Sequence, residues 1–141
     1  MKTKLLIAAA LLCASAGVLA QKKDAAGVSF VEPKNGATVP EEFKVVMGVK
    51  GMAIAPAGEE KPGTGHHHLI VDAPPVKKGE VIPADEHHLH FGKGQTETTL
   101  KLPPGKHRLQ LQFADGAHRS YGPSMRRTIT VVVKAAPPPS K

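Results

Sequence analysis

The sequence predicts an all-β fold, an immunoglobulin-like antiparallel β-sandwich of about seven strands. Three observations predict it. Apolar residues alternate at period two over short segments, Pro and Gly break those segments at close intervals, and helical periodicity is nearly absent beyond the first twenty residues. The lack of Trp and of a cysteine pair excludes an antibody-type domain without excluding the architecture.

The first element is not part of that sandwich. Lys2 and Lys4 precede an apolar run from Leu5 to Leu12, and the small-residue ending Val18-Leu19-Ala20 follows, which is the layout of a secretory signal peptide. Residues 1–20 are therefore expected to be cleaved, with Ala14-Ser15-Ala16 a second site for the cut. The unbroken apolar run is about half of the roughly 20 residues that span a bilayer, so no membrane span is expected once the signal is removed. The expected compartment is the periplasm. Cys13 is the single cysteine and leaves with the signal, so neither disulfides nor thiolate ligands are expected in the mature chain.

What remains is long enough for one domain, over residues 21–134, and a Pro-rich tail over 135–141 that reads as disordered. Within the domain, Phe43, Val45, Met47 and Val49 alternate with Lys44, Val46, Gly48 and Lys50. Leu109, Leu111 and Phe113 alternate with Arg108, Gln110 and Gln112, and Ile129, Val131 and Val133 alternate with Thr128 and Thr130. Residues 28–31, 67–71, 87–91 and 96–102 supply four further strands. Asn35-Gly36, Pro103-Pro104-Gly105-Lys106 and Asp115-Gly116 carry the turn chemistry between strands. Two longer stretches, 53–65 and 73–85, are rich in Pro, Gly and charge, and loops of that length often carry function.

Charge and composition exclude several function classes. Nineteen Lys and Arg stand against twelve Asp and Glu, but the excess is scattered, and one Tyr, four Phe and no Trp give nucleic acid little to stack on. No nucleic-acid partner is expected, whereas an envelope protein or an anionic polymer remains compatible with the charge. Ser29, Ser120, Ser124 and Ser140 sit in no nucleophile elbow, and Gly92-Lys93-Gly94-Gln95 lacks the ending of a phosphate loop. Glu86 is the one attractive base for a metal hydrolase. The chain is not expected to be an enzyme.

Histidine is the informative residue. All eight fall between positions 66 and 118, and six form two groups: His66, His67 and His68, then His87, His88 and His90. Residues two apart on a strand share a face. With Leu69 and Val71 inward, His67 goes with them while His66 and His68 point outward together. With Leu89 and Phe91 inward, His87 goes with them while His88 and His90 point outward. Two His-x-His pairs on adjacent strands would offer three or four imidazoles to one ion, a donor set that suits zinc or copper at about 2.0 Å. His66, His68, His88 and His90 are the first candidates as metal ligands, and His67, His87, His107 and His118 the reserves. Asp72, Asp85 and Glu86 could add ligands or orient a ring through its second nitrogen. Met47 and Met52 are soft donors suited to Cu(I), though Met at strand spacing is more often core.

Gly65-His66-His67-His68-Leu69-Ile70-Val71-Asp72, the stretch from His88 to Glu97 and the stretch from Leu102 to His118 together resemble the bacterial domain-of-unknown-function family 4399 (DUF4399), over residues 45 to 133. The resemblance implies an exported domain without established catalytic residues. It marks His67, His68, His88, His90, Gly94, Gln95, His107 and His118 as signature positions. The functional expectation is a periplasmic domain that coordinates copper or zinc for buffering or delivery. The rival expectation is a cell-envelope structural or interaction module whose histidines form a hydrogen-bond network.

Overall fold

A computed structural model describes residues 25–138; the expected signal segment 1–20 and the last three tail residues lie outside the described residues. Among the described residues nine strands follow one another: β1 (Gly27–Glu32), β2 (Thr38–Val39), β3 (Glu42–Lys50), β4 (Ala53–Ile54), β5 (Thr64–Val71), β6 (His88–His90), β7 (Glu97–Lys101), β8 (Gly105–Ala114) and β9 (Arg126–Val133). Every segment expected to be a strand is one, and the two additions, β2 and β4, are two residues long. Among the described residues the helical content is one 3₁₀ turn, Pro123–Met125, and no helix is long and apolar enough to cross a membrane.

The strands form two sheets. The smaller runs β1-β3-β7; the larger runs β2-β9-β8-β5-β4, with β6 also paired to β5. The long pairings are antiparallel, as expected, but β2 joins β9 and β4 joins β5 in parallel. These parallel contacts arise where short pieces of chain lie along a sheet edge after the direction has already reversed. Pro103-Pro104 is a corner between β7 and β8, which belong to different sheets, and not the turn of a hairpin.

Alternation places the core between the sheets. Phe43, Val45 and Met47 of β3 meet Leu69 and Val71 of β5, Leu109, Leu111 and Phe113 of β8, and Ile129, Val131 and Val133 of β9. Fully burying one such side chain is worth roughly 1.5–3 kcal/mol, so these eleven supply the main favourable contribution to the stability of the domain.

The other face of the larger sheet is covered too. Residues 73–87 lie across it, where Ala73, Val76 and Ile82 pack on Ile70 of β5 and Ala114 of β8 as a second, smaller core. Backbone bonds tie this segment to the turn after β8: Ile82 N–H donates to His118 C=O (2.9 Å), Gly79 N–H to Ser120 C=O (2.8 Å) and Ser120 N–H to Glu80 C=O (2.9 Å). β5 is therefore buried along its whole length on both faces. Its outward residues, which alternation alone would expose to water, lie in the interior.

Candidate metal centre

The outward residues of β5 are Thr64, His66, His68 and Ile70. Register decides what each meets: on one side His66 pairs with Ala114 and His68 with Gln112 of β8, and on the other His68 pairs with His90 and Ile70 with His88 of β6. Direct cross-strand partners sit about 4.5–5.5 Å apart at Cβ, near enough for two imidazoles to reach one point. β8 then ends at Ala114, beside His66, and the turn Asp115-Gly116-Ala117 returns the chain with His118 facing the same spot.

Three Nε2 atoms converge there, and a fourth, that of His118, touches one of them. His66 Nε2 lies 3.1 Å from His68 Nε2 and 3.2 Å from His90 Nε2, and His118 Nε2 lies 3.1 Å from His90 Nε2. Ligand atoms of His66, His68 and His90 all lie within 4.8 Å of one another, and this trio could hold a metal ion. Two nitrogens bound to one tetrahedral ion at about 2.0–2.1 Å stand about 3.3 Å apart, close to the spacing found.

Hydrogen bonding among the rings does not account for the cluster. A ring nitrogen carries either one proton or one lone pair. The contacts run His68 to His66 to His90 to His118, so each of the two middle nitrogens touches two others. Under any assignment of protons, at most two of the three contacts are hydrogen bonds. Nδ1 of His66 and of His68 are buried without a hydrogen-bond partner, so turning the tautomers around only moves the conflict to the far side of the rings. A cation resolves the near side, because it accepts the Nε2 lone pairs of His66, His68 and His90 at once.

Burial supplies the electrostatics. Desolvation, with repulsion from His90 and His118, lowers His66 to a pKa of about 4 in spite of the Asp115 carboxylate nearby. Desolvation and the neighbouring histidines lower His68 to about 2, and desolvation with His118 lowers His90. The rings are thus neutral near pH 7, with lone pairs free for a ligand role.

Two positions outside the histidine pattern shape the site. A Cβ on Gly92 would stand 2.2 Å from Cε1 and 2.5 Å from Nε2 of His90, so that ring occupies the space a side chain would need. His118 has φ 64, a left-handed conformation uncommon outside glycine. The Asp115 turn holds it there: Asp115 Oδ1 accepts from the N–H groups of Ala117 and Arg119, its C=O accepts from His118 N–H, and Arg119 Nε anchors Oδ2 at 2.8 Å. The only signal in the sequence for the role of Gly92 is a glycine two residues beyond a strand histidine, where close approach is common.

On its open side the cluster borders a cleft of about 330 Å³ lined by His68, His90 and His118 and by Val81, Ile82, Pro83 and Ala84.

The remaining histidines lie elsewhere. His88 shares the outward face with His90 but stands opposite Ile70, one step along, and its Nδ1 donates to Asp85 Oδ1 at 2.6 Å. His67 is inward as parity requires, edge-on to Phe113 with centroids 5.1 Å apart, and neither nitrogen has a hydrogen-bond partner; burial lowers its pKa to about 4. His87, expected inward, is exposed, because it precedes β6: its Nδ1 donates to Val71 C=O, and Glu86 stands 3.6 Å from its Nε2. His107 donates from Nδ1 to Asp72 Oδ2 (2.6 Å) and from Nε2 to Pro103 C=O (2.8 Å). Both partners only accept, so His107 is an imidazolium; desolvation opposes this charge, and the bond to Asp72 prevails and raises its pKa. Asp72, Asp85 and Glu86 thus serve His107, His88 and His87, not the trio. Met47 is buried between the sheets and Met52 packs against that same core, on the far side of the larger sheet from the cluster.

The sequence matches the model of a family described as "Domain of unknown function (DUF4399)" over residues 45–134. No curated protein sequence matches the chain. Among solved structures, an endo-beta-1,4-mannanase from Thermotoga petrophila is similar at 17% identity with a TM-score of 0.48, over 79% of this chain and 20% of that one. The fibronectin(III)-like modules of Clostridium thermocellum CbhA are similar at 16% identity with a TM-score of 0.45, over 78% of this chain and 99% of that one.

Proposed function

The chain belongs to DUF4399, a family with no assigned chemistry to inherit, and from its own histidines we propose that it is a periplasmic metal-binding domain that buffers or delivers copper or zinc. The observation that carries this reading is the convergence of the His66, His68 and His90 ligand nitrogens, with His118 Nε2 3.1 Å from His90 Nε2, in a chain of contacts of 3.1–3.2 Å that protons cannot all bridge. An all-imidazole set without thiolate or thioether favours Cu(II) or Zn(II) over Cu(I). The signal-peptide layout of the sequence over residues 1–20 supports the compartment. The role proposed is binding, and Glu86, the one base the sequence offers a hydrolase, stands 3.6 Å from His87 Nε2.

Titration of the mature protein with Cu²⁺ and with Zn²⁺ tests the reading. One ion per chain is expected, with a rise in thermal stability that follows mass action, about 2.7 kcal/mol at a free-ion concentration a hundredfold above Kd. Unchanged melting at saturating metal overturns it and leaves the histidines as part of an envelope interaction module.

A further inference from the structure

The four rings are not equally placed. His66 and His68 are 0% and 2% exposed, and His66 does not line the cleft. His90 and His118 are more open to solvent and form, with His68, one wall of the 330 Å³ cleft, whose other wall is Val81, Ile82, Pro83 and Ala84. His118 is also the only one of the four that no strand holds. It sits on the turn after β8, and its C=O is bonded to Ile82 N–H of the opposite wall. Its ring thus stands where the cleft meets the cluster.

Resting on the reading of the trio as an ion site, we propose that this cleft is the passage through which the ion is exchanged, and that His118 is the exchangeable ligand at its inner end. An incoming small donor molecule enters between His118 and the Val81–Ala84 wall and binds the ion as the His118 nitrogen leaves. The ion is then held by three protein nitrogens and one external donor, and departs with further external donors. The step exchanges one lone pair for another, with no change in oxidation state. The apolar wall favours compact neutral donors of the imidazole or amine type over large polyanionic chelators.

The experiment uses Co²⁺, whose visible absorption reads coordination geometry, with free imidazole as the donor. His118→Gly removes the ring and suits the left-handed backbone, so folding is retained. Loaded H118G is expected to show an altered Co²⁺ spectrum, to return to the wild-type spectrum on addition of imidazole, and to transfer its ion to a chelator at least tenfold faster. His66→Gly removes a sealed ligand and is expected to lose binding without recovery in imidazole. Ala84→Phe narrows the cleft and is expected to slow transfer at least fivefold with affinity unchanged. An H118G spectrum identical to wild type, imidazole recovery of H66G equal to that of H118G, or an A84F transfer rate equal to wild type overturns the passage while leaving the ion site standing. Failure of the wild-type protein to bind Co²⁺, Cu²⁺ or Zn²⁺ overturns both.

Discussion

His68 and His90 are direct cross-strand partners, and the Nε2 of each lies within 3.2 Å of the Nε2 of His66. His88 shares their face but stands opposite Ile70 and is bonded to Asp85. A displacement of two residues along a strand separates a member of the cluster from a bystander.

That separation predicts unequal effects of alanine substitution. His66→Ala or His90→Ala should weaken Cu²⁺ or Zn²⁺ binding by a hundredfold or more, whereas His88→Ala should change Kd by less than threefold. Competition titration against a chelator of known affinity measures both; equal losses would place the ion elsewhere.

Gly92 predicts a loss of affinity without loss of a ligand. In Gly92→Ala the new methyl occupies the space of the His90 ring, which must swing away from His66. Ion affinity should fall at least tenfold, and the effect should disappear in a His90→Ala background, where the double-mutant cycle reads the coupling.

The interior histidine predicts a gain. His67 has two buried nitrogens without partners, and an unsatisfied buried polar group costs about 1–3 kcal/mol. His67→Leu, similar in volume, should raise the stability of the metal-free protein by about 1–2 kcal/mol and leave ion binding unchanged. Denaturant unfolding and metal titration of the same variant check the two parts, and lost binding would return His67 to the ligand set.

Acid should destabilise the metal-free protein by a route that can be assigned. His66, His67 and His68 are held below the ordinary imidazole value of 6.5 in the fold, to about 4, about 4 and about 2. Unfolded chains therefore take up protons first. The stability that these neutral rings allow is fully present above about pH 6.5 and is lost as pH falls towards 4, at up to about 1.4 kcal/mol per pH unit for each ring. The same depression means that protons compete for the ion only below the ordinary imidazole range, so bound metal should persist to about pH 5. Unfolding curves between pH 7 and 4, with and without Zn²⁺, test both statements; flat stability of the metal-free form across that range would contradict the assignment.

The pair of Asp72 and His107 predicts a purely structural effect. Its stabilisation is lost as pH rises through the raised pKa of His107, and again as pH falls through the lowered pKa of Asp72. His107→Gln should cost about 1 kcal/mol, since Asp72 is partly exposed, and should leave metal affinity unchanged in the same titrations.

Much of this protein is determined locally. Alternation in 43–49, 109–113 and 129–133 depends only on which residues avoid water on a pleated strand, so strand positions, the inward face and the all-β class were legible from the chain itself. So was the grouping of the histidines, and the parity that sets His66 and His68 on one face and His67 on the other. Local pattern is silent on register, because sliding two strands by two residues preserves every face and changes every partner. Register chose His90 over His88 and brought His118 beside His66 through the β8 turn, although neither is near the other in sequence. Only the tertiary structure lays residues 73–87 over the outward side of β5, and that cover turns an exposed row of imidazoles into a desolvated cluster whose lone pairs are kept free of protons.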